Sequence, residues 1–266
     1  MSELINRLRW SCQYYGMPIT CLSVCARIAA RFGWNFGSSP RFLAFKDRTL
    51  DRRFNISTVE QVPTSELGVE QSLQKHAIQY QPTSSLDLVV VLDRLSRQVN
   101  LREFSFVDFG SGKGRVILMA SEFPFKSVMG VEFSAALHEM ARKNISSFRN
   151  PRQMCCDVIP VCQDAREFQL PDGPIIAFFF NPFDAVIMNC VLNNIEESVQ
   201  RANREFFCIY HNPVHRRLLD ESAFWTEVSG WPIEREQWAI YRAGKDPIPA
   251  QHSRPVEVSE VPAAIS

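Results

Sequence analysis

Three glycines within five residues, Gly110, Gly112 and Gly114, follow an aspartate at the end of an apolar run, Phe106-Val107-Asp108-Phe109. Such a loop admits positive φ and lets a ligand lie against the backbone where a Cβ would otherwise stand. Asp108 then faces whatever the loop holds, with Ser111 inside the loop itself. Spacing sorts the ligands. A phosphate loop needs G-x-x-x-x-G-K-[ST], but here Val107 fills the first glycine position and Gly114 the hydroxyl position. A dinucleotide loop needs G-x-G-x-x-G, and Arg115 takes its last place. A carboxylate two residues before the first glycine would also repel a pyrophosphate. It suits a cationic group.

S-Adenosylmethionine is such a ligand, with an ammonium, a sulfonium and no phosphate. The run Asp108-Phe-Gly-Ser-Gly-Lys-Gly114, with Gly130-Val131-Glu132 closing the next apolar run, resembles the first motifs of class I S-adenosylmethionine-dependent methyltransferases. More narrowly the chain is similar to a bacterial branch of that superfamily. Tyr80-Gln-Pro-Thr83 carries that likeness upstream, and Asn181-Pro-Phe183 and His211-Asn-Pro-Val-His215 carry it downstream. The resemblance spans residues 51 to 242. Ahead of the core, Asp51-Arg-Arg-Phe54 and Ser57-Thr58 give only a weak match to the family's segment.

The resemblance implies a role for each matching residue. Gly110, Ser111 and Gly112 would line the cofactor, and Asp108 would meet its ammonium end. Glu132, 24 residues on, would accept the ribose hydroxyls, the geometry nicotinamide-dependent folds also use; its structural alternative is an acid at a helix N-terminus. Phe133 would pack on adenine. The Asp164 carboxylate and the Ala165 N–H would meet the adenine edge, and Tyr80 and Thr83 would lie over the methionine end. Asn181-Pro182-Phe183 resembles the N/D-P-P-Y/F motif of amino-methylating enzymes, with one proline in place of two. It places the amide of Asn181 and the ring of Phe183 beside a nucleophilic nitrogen; the alternative is an Asn-Pro turn capping a helix. His211, at a strand's end and ordinarily near neutrality, is the candidate proton acceptor, or else a structural histidine. His211 and His215 lack the glutamate of a zinc protease motif, so no metal is expected.

Alternating patterns position these residues. Apolar runs at 104–109, 127–132, 158–162, 174–180 and 205–211 read as strands, and 113–122, 134–147, 184–201 and 214–221 as helices between them. That alternation predicts an α/β, doubly wound Rossmann-like sheet with helices on both faces. Two late strands, near 223–228 and 237–242, supply an antiparallel closing hairpin, making seven strands. Thr83 or Ser84 caps a helix over 85–99, after an extended residue that Pro82 enforces. Residues 1–35 read as helix broken near Gly16-Met17-Pro18. The expected organisation is a helical and irregular N-terminal extension over 1–68, a methyltransferase domain over 69–242, and a flexible proline-rich tail over 243–266.

Composition narrows the class. The chain has 266 residues, an apolar fraction of 45% and zero formal charge, so the whole molecule has no electrostatic pull toward nucleic acid or anionic membrane. The charge is uneven, though: residues 1–53 hold nine Lys/Arg against three acids, which leaves a weak membrane or partner contact open for that segment. The eight cysteines lack C-x-x-C and His/Cys zinc spacing, and read as reduced thiols in a cytoplasmic protein. The apolar stretch Met17 to Ala30 is interrupted by Arg27 and has no clean cleavage site, so export is rejected. The resulting expectation is an S-adenosylmethionine-dependent methyltransferase acting on a nitrogen of an unassigned acceptor. A non-catalytic S-adenosylmethionine-binding module is the alternative, and an NAD-dependent oxidoreductase is the more distant one.

Overall fold

The structure, a computed structural model, describes residues 3–34, 37, 39–59, 85–228 and 237–243. Seven strands form its centre: β1 (Ser105–Phe109), β2 (Ser127–Glu132), β3 (Val158–Cys162), β4 (Ile175–Phe180), β5 (Phe206–His211), β6 (Trp225–Glu227) and β7 (Trp238–Ala243). Their order is β3-β2-β1-β4-β5-β7-β6. β1 to β5 pair in parallel, and β7 enters antiparallel between β5 and β6. The Rossmann-like fold expected from the alternation is the fold observed, with each predicted strand within two residues of its position. Buried parallel strands read as unbroken apolar runs because both faces are covered; β4 is such a strand, and β1, equally buried, is one but for Ser105 and Asp108.

The helices are α1 (Glu3–Ala30), α2 (Pro40–Phe54), α3 (Ser85–Leu95), α4 (Arg115–Ala120), α5 (Ala135–Ser147), α6 (Ala185–Ala202) and α7 (Arg217–Asp220). Local chemistry sets several ends. Ser134 caps α5 by accepting from the Leu137 N–H, and Asp184 caps α6 by accepting from Val186 and Ile187. Such caps satisfy N–H groups that a helix start leaves without partners. α1 bends where the sequence predicts: Gly16 has φ 80° and ψ 164°, with Pro18 just beyond.

Alternate residues of each strand feed two cores. On one face Phe106, Ile176, Phe178, Ile209 and Ile240 pack with helices including α3 and α4; on the other, Val107, Phe109, Phe179 and Tyr210 pack against α6. The N-terminal segment joins the first core, because Tyr14, Tyr15, Leu50 and Phe54 belong to it. Tyr14 Oη donates to Glu122 Oε1 at 2.8 Å, and Glu122 also accepts from Asn150 and Arg152. Through these contacts α1 and α2 form a layer on the first core. Residues 60–84, including Tyr80 and Thr83, and the tail from 244 onward lie outside the described residues.

A second buried tie reaches the glycine loop. Arg115, the first residue of α4, is 2% exposed and donates from Nε to Thr58 Oγ1 (2.7 Å) and from Nη1 to Asp47 Oδ1 (2.6 Å). Its Nη2 lies 3.5 Å from Asp51 Oδ1, while Asp51 also accepts from the N–H groups of Thr58 and Val59. Removing one partner of a buried pair leaves a charge without compensation, at about 3–5 kcal/mol. Arg115→Met should therefore cost about 3 kcal/mol, the low end because Asp47 retains some contact with water. Urea denaturation checks this; a change under about 1 kcal/mol would show that the pair is not holding the layer.

Candidate active site

The order β2-β1-β4 means that the chain turns from one direction to the other between β1 and β4. Ligands of open α/β sheets settle in the crevice outside the strand ends at that point. The loop after β1 starts there. The N–H groups of Gly110 and Ser111 both donate to Val131 O, at 2.9 and 3.0 Å, which ties the loop to β2. Gly110 has φ +79°, and a Cβ built on it would stand 2.5 Å from Pro182 Cβ. Only glycine lets this loop touch the turn after β4.

Seven buried side-chain polar atoms lack a hydrogen-bond partner among the described residues. Four of them gather at the carboxyl ends of β1, β4 and β5: Asp108 Oδ2, Ser111 Oγ, Asn181 Oδ1 and His211 Nδ1. Buried polar groups are ordinarily satisfied, so each such atom needs an explanation. Burial pushes the Asp108 carboxyl well above the usual carboxylate range, and the neighbouring Glu132 pushes it further. Glu132 is 4% exposed and its pKa is raised to about 7 by burial, against the lowering effect of N–H groups from Ser134, Gly112 and Phe133. Its Oε2 accepts from Gly112 and its Oε1 from Ser134, both at 2.9 Å. With the Phe133 N–H also directed at it, the carboxylate keeps about one of its roughly four lone pairs for a ligand.

Asn181 lies just past β4 with φ 41°, in the left-handed region. The capping alternative does not describe it, since Asp184 caps the following helix. Phe183 sits elsewhere than expected: it is 8% exposed and packs in the second core with Ile187 and Phe179. The ring beside the strand ends is Phe180. His211 lies between Phe180 (centroids 4.2 Å, planes 19° apart) and Trp238 (4.1 Å, 14°). Sheet register makes this stack, because Phe180 pairs with His211 across β4 and β5, and His211 with Trp238 across β5 and β7. Burial lowers the His211 pKa to about 4, with Asp87 opposing weakly. The near-neutral titration expected of His211 is corrected accordingly: water is excluded from the faces of the ring by Phe180 and Trp238, and among the described residues only Asp87 opposes the lowering.

At the adenine end of the expected site, Phe133 is partly exposed beside Glu132 and Ala165 is buried. Gln163 N–H donates to Glu132 O at 3.1 Å, bringing the turn after β3 to the end of β2. Asp164 is already engaged: Arg166 Nη2 and Nε meet its carboxylate at 2.6 and 3.1 Å and hold its pKa down. An adenine amino group would share that carboxylate. Sequence reasoning missed Arg166, Phe180, Trp238 and the Arg115 tie. Arg166 alone had a local signal, two residues from Asp164.

The span 107–210 matches the family model described as a methyltransferase domain. That match is consistent with the resemblance to class I S-adenosylmethionine-dependent methyltransferases carried by the glycine loop, and the seven-strand order is that of the Rossmann-like fold. No curated protein matches it. Among solved structures, it is similar to magnesium protoporphyrin IX methyltransferase from Synechocystis PCC 6803 with bound SAM, at 14% identity and TM-score 0.41, over 62% of this chain and 86% of that one. It is also similar to the 23S rRNA methyltransferase ErmE, at 14% identity and TM-score 0.41, over 60% and 67%. The methyltransferase domain of a bacterial Hen1 gives 10% identity and TM-score 0.42, over 58% and 96%.

The imidazole stack has a direct readout. An unfolded histidine takes its proton near pH 6.5, and His211 only near 4. Between those values the unfolded chain holds the extra proton, so this group's contribution to stability is full above about 6.5 and falls as pH drops. Nitrogen NMR of His211 should show a neutral ring at pH 5.5. A midpoint near 6.5 would mean that the ring is wet.

Proposed function

We propose that the chain binds S-adenosylmethionine at the carboxyl ends of β1 and β2 and directs its methyl group to a nitrogen nucleophile held at Asn181. One observation carries this reading: buried polar side-chain atoms without partners, Asp108 Oδ2, Ser111 Oγ and Asn181 Oδ1 among them, cluster around the glycine loop. Acceptors lack donors, and this ligand offers an ammonium and two ribose hydroxyls. Asp108 Oδ2 suits the ammonium, whose charge would also relieve the repulsion between Asp108 and Glu132. The backbone of Gly110, Ser111 and Gly112 supplies the floor. Glu132 would accept from the ribose hydroxyls, one lone pair being left beside its three backbone N–H donors and the rest coming by displacement or sharing. Phe133 and Ala165 would frame an adenine, with Asp164 at its edge. Tyr80 and Thr83 keep their expected place over the methionine end as part of the proposal.

Bound, the ligand supplies an electrophilic methyl group on sulfur. Sulfonium transfer is an in-line displacement, so the protein's work is alignment and exclusion of water. Asn181 Oδ1 would accept an N–H of the nucleophile and point its lone pair, with Pro182 fixing the turn against Gly110. His211, the candidate proton acceptor of the sequence, would serve as a neutral wall and a hydrogen-bond acceptor through Nδ1. Phe180 and Trp238 hold its plane.

Two outcomes check the reading. Glu132 titrates near 7 in the free protein; hydrogen bonds to its ionised form would lower that value on binding. Binding should then release a proton, and S-adenosylhomocysteine affinity should climb as pH rises to about 7 and level off above it. Calorimetry at pH 6.5 in two buffers of different ionisation heat measures this, and Glu132→Gln should flatten the rise. Equal heats in both buffers would remove Glu132 from the ligand.

Asn181→Ala should leave that affinity within a few-fold while lowering methyl transfer to amine acceptor pools about a hundredfold, as loss of a positioned polar group in a dry site does. Loss of affinity along with transfer would make Asn181 a cofactor or folding residue. Unchanged transfer would take it out of the site.

A further inference from the structure

Beyond the bend at Gly16, α1 turns an apolar stripe to solvent. Met17, Cys21, Val24, Cys25 and Ile28 recur at the three- and four-residue steps of one helix face, and all are exposed. Phe32 and Trp34, 79% and 74% exposed, continue past the helix end. Ile19 and Ala26, on the opposite side, are the residues packed inward. Single exposed apolar residues need no explanation. A contiguous row of seven marks a contact surface.

Charge selects what covers it. From residue 4 to residue 46 the chain has no Asp or Glu, and it carries Arg7, Arg9, Arg27, Arg31, Arg41 and Lys46. Arg27 and Arg31 are exposed on the flank of the stripe. A second copy docking by the same patch would set these cations against their own counterparts. An anionic bilayer satisfies both features: apolar side chains enter the acyl boundary, arginines meet phosphate-bearing headgroups, and Trp34 takes an interfacial position. Met17 to Ala30 rises only about 20 Å, short of the roughly 30 Å hydrocarbon core. No described helix is long and apolar enough to cross a membrane. We propose that the outer face of α1 docks flat on an anionic lipid surface and holds the methyltransferase domain against it. Tyr14, Tyr15 and Ile19, buried in the core, make the helix a fixed foot.

The test uses the full chain with vesicles of phosphatidylcholine alone or with about one third phosphatidylglycerol. Co-sedimentation should require the anionic lipid and weaken as salt rises through the Debye range. Trp34 emission, isolated by difference against Trp34→Phe, should shift to the blue on binding. Arg27→Gln with Arg31→Gln should weaken binding about tenfold or more, on the scale of one basic residue near a charged surface. Ile28→Asp with Phe32→Asp should abolish the spectral shift. Both pairs change exposed side chains, and an unaltered thermal midpoint verifies that they fold. Three results overturn the proposal: no binding to anionic vesicles at low salt, equal binding to neutral ones, or a Trp34 already shielded from iodide without lipid. Shielding that depends on protein concentration assigns the stripe to a second copy, and shielding independent of it to the chain's own segments.

Discussion

A side chain at position 110 would put its Cβ 2.5 Å from Pro182, and the absence of that one carbon lets the loops after β1 and β4 meet. Everything at the strand ends inherits its spacing from this contact. It sets Asn181 beside the glycine loop, and with it the distance over which a group bound at one could react with a group bound at the other. Tightness here has a local cost, since both Gly110 and Asn181 adopt left-handed backbone. Strained conformations persist where the surroundings over-determine them. Here the surroundings are the fully buried β1 and the nearly fully buried β4.

Around that contact the protein holds its carboxylates in an unusual state. Asp108 and Glu132 are both dry; burial raises the pKa of each, and Glu132 raises that of Asp108 further. Left alone, such a pair favours keeping a proton. Ordinary folding would select against it, because an apolar pair of similar volume would pack without that cost. A cationic ligand changes the balance by paying in charge. On the proposed reading the site would discriminate by sign before shape: an ammonium would offset the cost of the buried carboxylates, and a pyrophosphate would add to it.

Much of this was legible in the chain. Buried parallel strands announce themselves as apolar runs, and the runs ending in Asp108, Glu132 and Asn181 lie within a residue or two of the observed strands. What failed depended on partners distant in sequence. The His211 titration is set by Phe180 and Trp238, from two other strands, so no window around residue 211 contains it. Phe183 was read as a wall because it adjoins Asn181, but one residue of helix entry turns its ring into the core and leaves Phe180 outside. Asp51 and Thr58 looked like remnants of a weak motif. Their meaning appears only once Arg115 is folded against them.

That last tie has a consequence for the order in which the chain takes shape. Asp51 and Arg115 are 64 residues apart, and Tyr14 and Glu122 are 108 apart. As the chain is synthesised, the first helices therefore emerge with acids and an aromatic face that have nothing to settle on. Contacts this distant repay their loop-closure entropy only late. The N-terminal layer, made before the sheet it rests on, therefore gains its buried partners only when Arg115 and Glu122 are in place.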